Sequence, residues 1–171
     1  MSLRPAVSSI DHVQGNANAA VELVEFGDYQ CGFCGAAFPI VKEIQETFGD
    51  QVKFVFRNFP LVQAHPYARI AALAAEAAAL QGKFWEMHDA IYMKQDELGE
   101  ELFIKQVEKL GLDVDQFKKD MESEKVQTKV EDDFESGMRS GVNGTPSFFV
   151  NGEKFDGGAT DLYAMLKESS S

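Results

Sequence analysis

Residues 21–59 read VELVEFGDYQCGFCGAAFPIVKEIQETFGDQVKFVFRNF, and the spacing of their apolar side chains changes twice. Val21 to Phe26 is a short, mostly apolar run with β-branched residues, the pattern of a strand. From Cys31 onward Phe38, Val41, Ile44 and Phe48 recur at helical spacing, and Gly49 ends the run. Val52 to Phe59 returns to the pattern of a buried strand. The three pieces make a β-α-β unit, and its strands are expected to be parallel because the helix carries the chain back to the starting edge.

The stretch after Gly141, VNGTPSFFVNGEKFDGG, supplies a second piece of sheet. Ser147 to Val150 reads as a strand, Asn151-Gly152 is the two-residue signal for a type I′ turn, and Glu153 to Phe155 begins the return strand. Thr160 or Asp161 can cap a last helix that buries Leu162, Met165 and Leu166. Between the two pieces, residues 64 to 141 are helical almost throughout. Pro66 suits a first helical turn, and Ala68 to Leu80 holds eight alanines before Gly82 closes the run. Phe84 to Tyr92, Glu100 to Leu110 and Val114 to Met121 follow as shorter helices, and Val126, Val130, Phe134 and Met138 mark one face of another. Neither flanking piece is large enough to stand alone. The expectation is an α/β fold whose core comprises residues 15–62 and 142–168, with an all-helical insertion at 63–141 and an N-terminal extension at 1–14.

Composition narrows the function. The chain has 171 residues, a net charge of −12 and 44% hydrophobic residues, which fits a self-sufficient core and excludes a disordered or disulfide-scaffolded chain. No apolar run approaches the ~18 to 20 residues of a transmembrane helix, so no membrane insertion of the body is expected. Acidity and the lack of clustered Lys and Arg argue against a nucleic-acid partner. Residues 93 to 135 hold 14 acidic residues against 7 lysines, the composition of a solvated helical face.

Both cysteines lie in Cys31-Gly32-Phe33-Cys34. Two cysteines placed at random in such a chain fall three apart in only ~1% of cases, so the spacing is informative. The pair also stands where a strand hands over to a helix. Unpaired N–H groups and a partial positive charge at a helix start favour a thiolate on Cys31, while Cys34, one turn in, is more shielded. An exposed low-pKa sulfur beside a shielded resolving one suits thiol–disulfide exchange. Three other readings of the pair compete. A metal site needs about four ligands, and only His12, His65 and His88 could join the cysteines, without paired spacing. The others are an inert disulfide, which stabilises little when it closes so small a loop, and two ordinary buried cysteines. No metal or organic cofactor is expected. His65 and His88 read as structural, and Phe84, Trp85, Met87, Ile91 and Tyr92 as core between helices more than as a groove beside Cys31.

The strand leading to Cys-X-X-Cys, the run DYQCGFC, the helical insertion and the run GTPSFFVNG together resemble the DsbA-like thiol–disulfide oxidoreductases of the thioredoxin superfamily, over about residues 15 to 168. The resemblance implies a thioredoxin-like fold and catalysis by Cys31 and Cys34. It implies that Pro146 is the cis-proline facing the cysteines, that Thr145 pairs with an extended substrate peptide, and that Gly32 and Phe33 contact substrate. Glu25, six residues before Cys31, matches a buried acid beneath the pair. Alternation agrees, since it puts Glu25 on the face of Val21 and Leu23, where an unpaired carboxyl has a raised pKa. A rim carboxylate at a strand end is the plainer alternative. Pro39 matches a proline that kinks the first helix by removing the bond to the Gly35 carbonyl. Gly32-Phe33 differs from the Pro-His pair of the strongly oxidising members, so no histidine cation adjoins the thiolate.

The expected partners are protein or peptide thiols and disulfides, with an unidentified redox partner to reset the pair. The expected function is disulfide formation of the DsbA type. A reductase or isomerase shares the chemistry, and a peptide-holding module with incidental cysteines is the rival of another class. The first twenty residues lack the apolar segment of a secretory signal. The resemblance nevertheless implies a periplasmic or exported protein whose signal peptide lies outside this sequence, with a cytoplasmic one as the alternative.

Overall fold

The computed structural model describes residues 1–170. The β-α-β unit is β2 (Val21–Gly27), α1 (Gly32–Phe48) and β3 (Val52–Asn58). β2 and β3 pair in parallel from Val21 opposite Val52 to Gly27 opposite Asn58. β4 (Ser147–Val150) lies antiparallel on the other side of β2, and β5 (Glu153–Phe155) completes a hairpin. The hairpin turn has φ of 49° at Asn151 and 86° at Gly152, the left-handed pair that a type I′ turn requires. With β1 at His12–Gly15, the sheet order is β1-β3-β2-β4-β5.

The outermost strand, β1 (His12–Gly15), pairs antiparallel with β3. It begins inside the stretch that the sequence reading set apart as an extension. Four residues, HVQG, carry too little alternation to announce a strand. What fixes them is tertiary: Val13 gives its carbonyl to Trp85 Nε1 at 3.3 Å, and His12 stacks on Phe84 with ring centres 3.7 Å apart.

Side chains of β2 and β3 alternate between two core layers, as period-two strands must. Leu23, Phe54 and Phe56 join the cysteines and α1 in the larger layer. Val24, Phe26 and Val55 face the smaller one with Phe59, Val142 and Phe149. Six further helices follow: α2 (Ala68–Ala79), α3 (Phe84–Met93), α4 (Glu100–Lys109), α5 (Val114–Met121), α6 (Glu124–Arg139) and, after the hairpin, α7 (Ala159–Ser169). The alanine-rich α2 buries nearly its whole length in the larger layer, where small side chains let neighbouring helices approach.

Local expectations fail at three places. Pro66 lies in a turn, and α2 starts at Ala68. α7 is capped at Gly158, with Asp161 one turn in accepting the Gly158 N–H at 3.2 Å. Met165 is half-buried and packs against the larger layer beside Leu162 and Leu166, the face expected of α7. On α6, Met138 is 59% exposed. Gly137 turns inward instead, where an added Cβ would run into the Phe59 ring, so the helix crosses the sheet closely there.

Candidate active site

The end of β2 and the start of β4 meet by register, with Phe26 opposite Ser147. That pairing brings the Thr145–Pro146 peptide, which is cis, to the point where β2 hands over to α1. Cys31 is the N-cap of α1, with extended backbone at φ −69° and ψ 125°, and contrary to the expectation of an exposed sulfur it is buried, at 5% exposure. Its thiol donates to the Thr145 carbonyl at 3.7 Å. Cys34 is fully buried one turn into the helix, and the Asp28 N–H donates to its sulfur at 3.5 Å. Both cysteines are free thiols. Phe33 points outward at 78% exposure, and nothing crowds Gly32. α1 continues unbroken through Pro39.

The two sulfurs are electrostatically unequal. The hydrogen bond from the Cys34 thiol lowers the Cys31 pKa most. Burial opposes it, and the Thr145 side chain with the N–H groups of Cys34 and Phe33 carries the thiol down to about 5. The Thr145 hydroxyl is buried and has no hydrogen-bond partner while Cys31 is a thiol, so it is available to the ionised sulfur. Cys34 moves the other way: burial first, then donation to Cys31 and the field of Glu25, push its thiol far up. One member of the pair therefore ionises near neutrality and the other does not.

Glu25 lies on the cysteine face of β2, 3% exposed, with Phe56 and Phe148 beside it in the sheet. Burial, reinforced by the Cys31 thiolate, pushes its carboxyl up to about 8. Such a group exchanges a proton within the range in which Cys31 is charged.

Two anchors of the turn escaped the sequence reading. The buried Asp28 carboxylate accepts the Gln30 N–H at 2.8 Å and the Leu61 N–H at 2.9 Å, and its Oδ2 lies 2.7 Å from His65 Nδ1. His65 thus ends its loop as expected, but against the cysteine turn. Gln95, after α3, donates to two carbonyls of that turn. The placement of Asp28 within DYQC was a signal for the first; nothing in the sequence pointed to the second. His88 is packed among Tyr29, Phe56, Trp85 and Tyr92, and burial, opposed by Asp89, lowers its pKa. Phe84, Met87, Ile91 and Tyr92 are buried and Trp85 half-buried, as core. Among the described residues no cluster of three or more His, Cys, Asp or Glu is placed to hold a metal.

The thioredoxin family model matches residues 8–167. The thiol–disulfide exchange protein α-DsbA2 of Wolbachia pipientis superposes with a TM-score of 0.81 at 27% identity, covering 94% of this chain and 86% of that one. Oxidised BdbD of Bacillus subtilis superposes with a TM-score of 0.80 at 29% identity, covering 93% of this chain and 90% of that one. A curated relative named Na(+)/H(+) antiporter NhaA 3, from Salinispora tropica, is 43% identical over 147 residues, which is 86% of this chain and 22% of that protein. The chain spans about a quarter or less of the length of the first curated relatives it matches. Among the described residues no helix is long and apolar enough to cross a membrane. The chain belongs to the thioredoxin family, and its structural neighbours are DsbA-like thiol–disulfide oxidoreductases.

Proposed function

We propose that this thioredoxin-family protein is a disulfide-forming oxidase of protein and peptide thiols, with Cys31 as the exchanging sulfur and Cys34 as the resolving one. The observation that carries the reading is the placement of the pair: Cys31 caps α1 against the Thr145 carbonyl while Cys34 is buried one turn in, so hydrogen bonding and burial push the two thiols in opposite directions. In the oxidising direction a substrate thiolate attacks Cys31 Sγ of the Cys31–Cys34 disulfide. A mixed disulfide forms, and Cys34 leaves as a thiolate that takes the proton of Glu25. A second substrate thiolate then attacks the substrate sulfur of the mixed disulfide. The substrate leaves with a disulfide, Cys31 departs as a thiolate, and two electrons remain on the pair. A separate oxidant must remove them, with the Glu25 carboxylate accepting the Cys34 proton as the disulfide re-forms.

Thiolate stabilisation sets the direction. A Cys31 pKa of about 5 in place of 9.0 favours the folded reduced form at pH 7 by on the order of 1 to 3 kcal/mol. That corresponds to ~20 to 60 mV of added oxidising power. Hydrogen-bond donors supply the effect where other members use a histidine. Thr145 and the exposed Gly32-Phe33 form the substrate contact, with Pro146 holding the Thr145 carbonyl over Cys31. The domain division at 15–62, 63–141 and 142–168 and an exported or periplasmic setting belong to this reading. Ion transport, named for the longer curated relatives, is not assigned to the part they share with this chain.

Denaturant unfolding of the oxidised and reduced proteins at pH 7 tests the direction. The reduced form should be the more stable; a more stable oxidised form would turn the assignment to a reductase or isomerase. Cys31→Ser tests the class. It should abolish turnover in a folded protein, and undiminished suppression of aggregation with no wild-type thiol turnover would leave a peptide-holding module.

A further inference from the structure

The sheet alone does not hold the cysteine turn. Gln95 opens a short 3-10 turn, Gln95–Glu97, that follows α3 in the helical module. Its Nε2 donates to the Tyr29 carbonyl at 2.9 Å and to the Cys31 carbonyl at 2.7 Å. The two amide hydrogens thus serve the two carbonyls that flank Gln30. The Cys31 carbonyl also accepts the Gly35 N–H at 3.0 Å, the first helical bond of α1. Gln95 reaches the far side of this bond as well, because a Cβ on residue 35 would collide with its side-chain amide. Glycine at 35 leaves the room that the amide occupies.

A carbonyl fixed by two donors cannot rotate freely, and the orientation of the Cys31 peptide sets where its sulfur stands over the helix start. The side-chain type fits this task. A neutral amide offers two donors without a charge, whereas an ionised carboxylate would repel both carbonyls and thiolate, and a cation would compete for the sulfur. We propose that Gln95 is a positioning residue: its amide ties the cysteine turn to the helical module and keeps Cys31 Sγ over the N–H groups of Phe33 and Cys34. Its consequence for exchange rests on the thiol-exchange function proposed above; the mechanical tie does not.

The test uses Gln95→Ala, Gly35→Ala and the double variant, with two readouts on the reduced protein. Alkylation of Cys31 by iodoacetamide across pH gives the ionisation midpoint, and native-state amide exchange follows residues 32 to 35. Gln95→Ala should move the midpoint up by about one pH unit and speed exchange at Gly35 roughly tenfold. Gly35→Ala should do the same by displacing the amide. The double variant should match either single one, because both changes break one contact. Wild-type midpoint and protection in Gln95→Ala, or additive effects in the double variant, overturn the proposal. Should wild-type Cys31 itself titrate as an ordinary thiol, the oxidase reading falls, and the exchange rates alone decide whether Gln95 holds the turn.

Discussion

Two buried glutamates in different regions of this protein, Glu76 and Glu25, are handled in opposite ways. At the junction of β1, β3, α2 and α6, Glu76 meets His12 Nε2 with both oxygens, at 2.9 and 3.0 Å. Asn58 Nδ2 bridges Glu76 and Asp133 at 2.9 Å each, and Lys129 Nζ holds both Asp133 oxygens at 2.8 Å. Under the cysteines, Glu25 lies between two phenylalanines of the neighbouring strands. Burial opposes ionisation in both places. At Glu76 the hydrogen bonds and charge of His12, with Lys129 and Asn58, outweigh it and the pKa is lowered, whereas at its neighbour Asp133 burial prevails over Lys129 and the pKa is raised; at Glu25 burial goes unanswered and the pKa rises to about 8. A carboxylate that fastens elements together is given partners. Glu25 is left short of them, at a cost in stability and with a carboxyl whose pKa is raised.

The two sites should therefore give opposite pH slopes. Glu76, with its pKa lowered, contributes stability above the ordinary carboxylate value of 4.5 and loses it as pH falls through the lowered value. Glu76→Ala should produce the largest loss, about 3 to 5 kcal/mol at pH 7, since it strands His12 and leaves Asn58 with Asp133 alone. Urea unfolding should show the gap to wild type narrowing in acid, while the alkylation midpoint of Cys31 stays near 5. A midpoint that moved with Glu76 would join the two regions into one electrostatic unit.

Glu25 has a raised pKa, so its folded-state contribution is intact below 4.5 and is lost as pH rises towards 8. Glu25→Gln should stabilise the protein by on the order of 1 to 3 kcal/mol at pH 7 to 8, part of the gain being offset by burial of the amide, and by little at pH 4.5. Stopped-flow thiol exchange should slow about tenfold to a hundredfold at the step that protonates or deprotonates Cys34. Gain in stability without loss of rate would leave Glu25 as a buried acid with no part in proton transfer.

How much of this contrast the sequence carries depends on the range of the interaction. The β-α-β unit and the hairpin are written in local periodicity and turn residues, so strands, partners and the Asn151-Gly152 turn read directly. Cys31, Cys34 and Glu25 follow from the same local frame, because a strand's alternation fixes which face each side chain takes. β1 does not read, because four residues become a strand only through Phe84, Trp85 and β3. Gln95 and the Asn58–Glu76–Asp133 group are invisible for the same reason: each hydrogen bond joins elements far apart in the chain, and no spacing rule spans them. Met138 misled because Val126, Val130 and Phe134 share its helical spacing, whereas close contact with Phe59 selects Gly137 as the inward residue.

The smallest expected effect lies at Thr145, where the cost of burying a polar group is weighed against its use in a single redox state. Its hydroxyl is buried and unpartnered while Cys31 is protonated, so removing it from that form costs little and relieves an unmet desolvation. Once Cys31 ionises, the same hydroxyl is among the donors that lower its pKa. Thr145→Val keeps the side-chain shape and deletes only the donor. The Cys31 midpoint should rise by about one unit, and the disulfide should become less oxidising by ~30 mV, equivalent to ~1.4 kcal/mol. Equilibration with glutathione measures the potential, and unfolding of the oxidised form supplies the control, since that form has no thiolate to lose. Equal destabilisation of both redox forms with an unmoved midpoint would make Thr145 a packing residue, and would leave the Cys34 thiol and the backbone N–H groups to hold the charge alone.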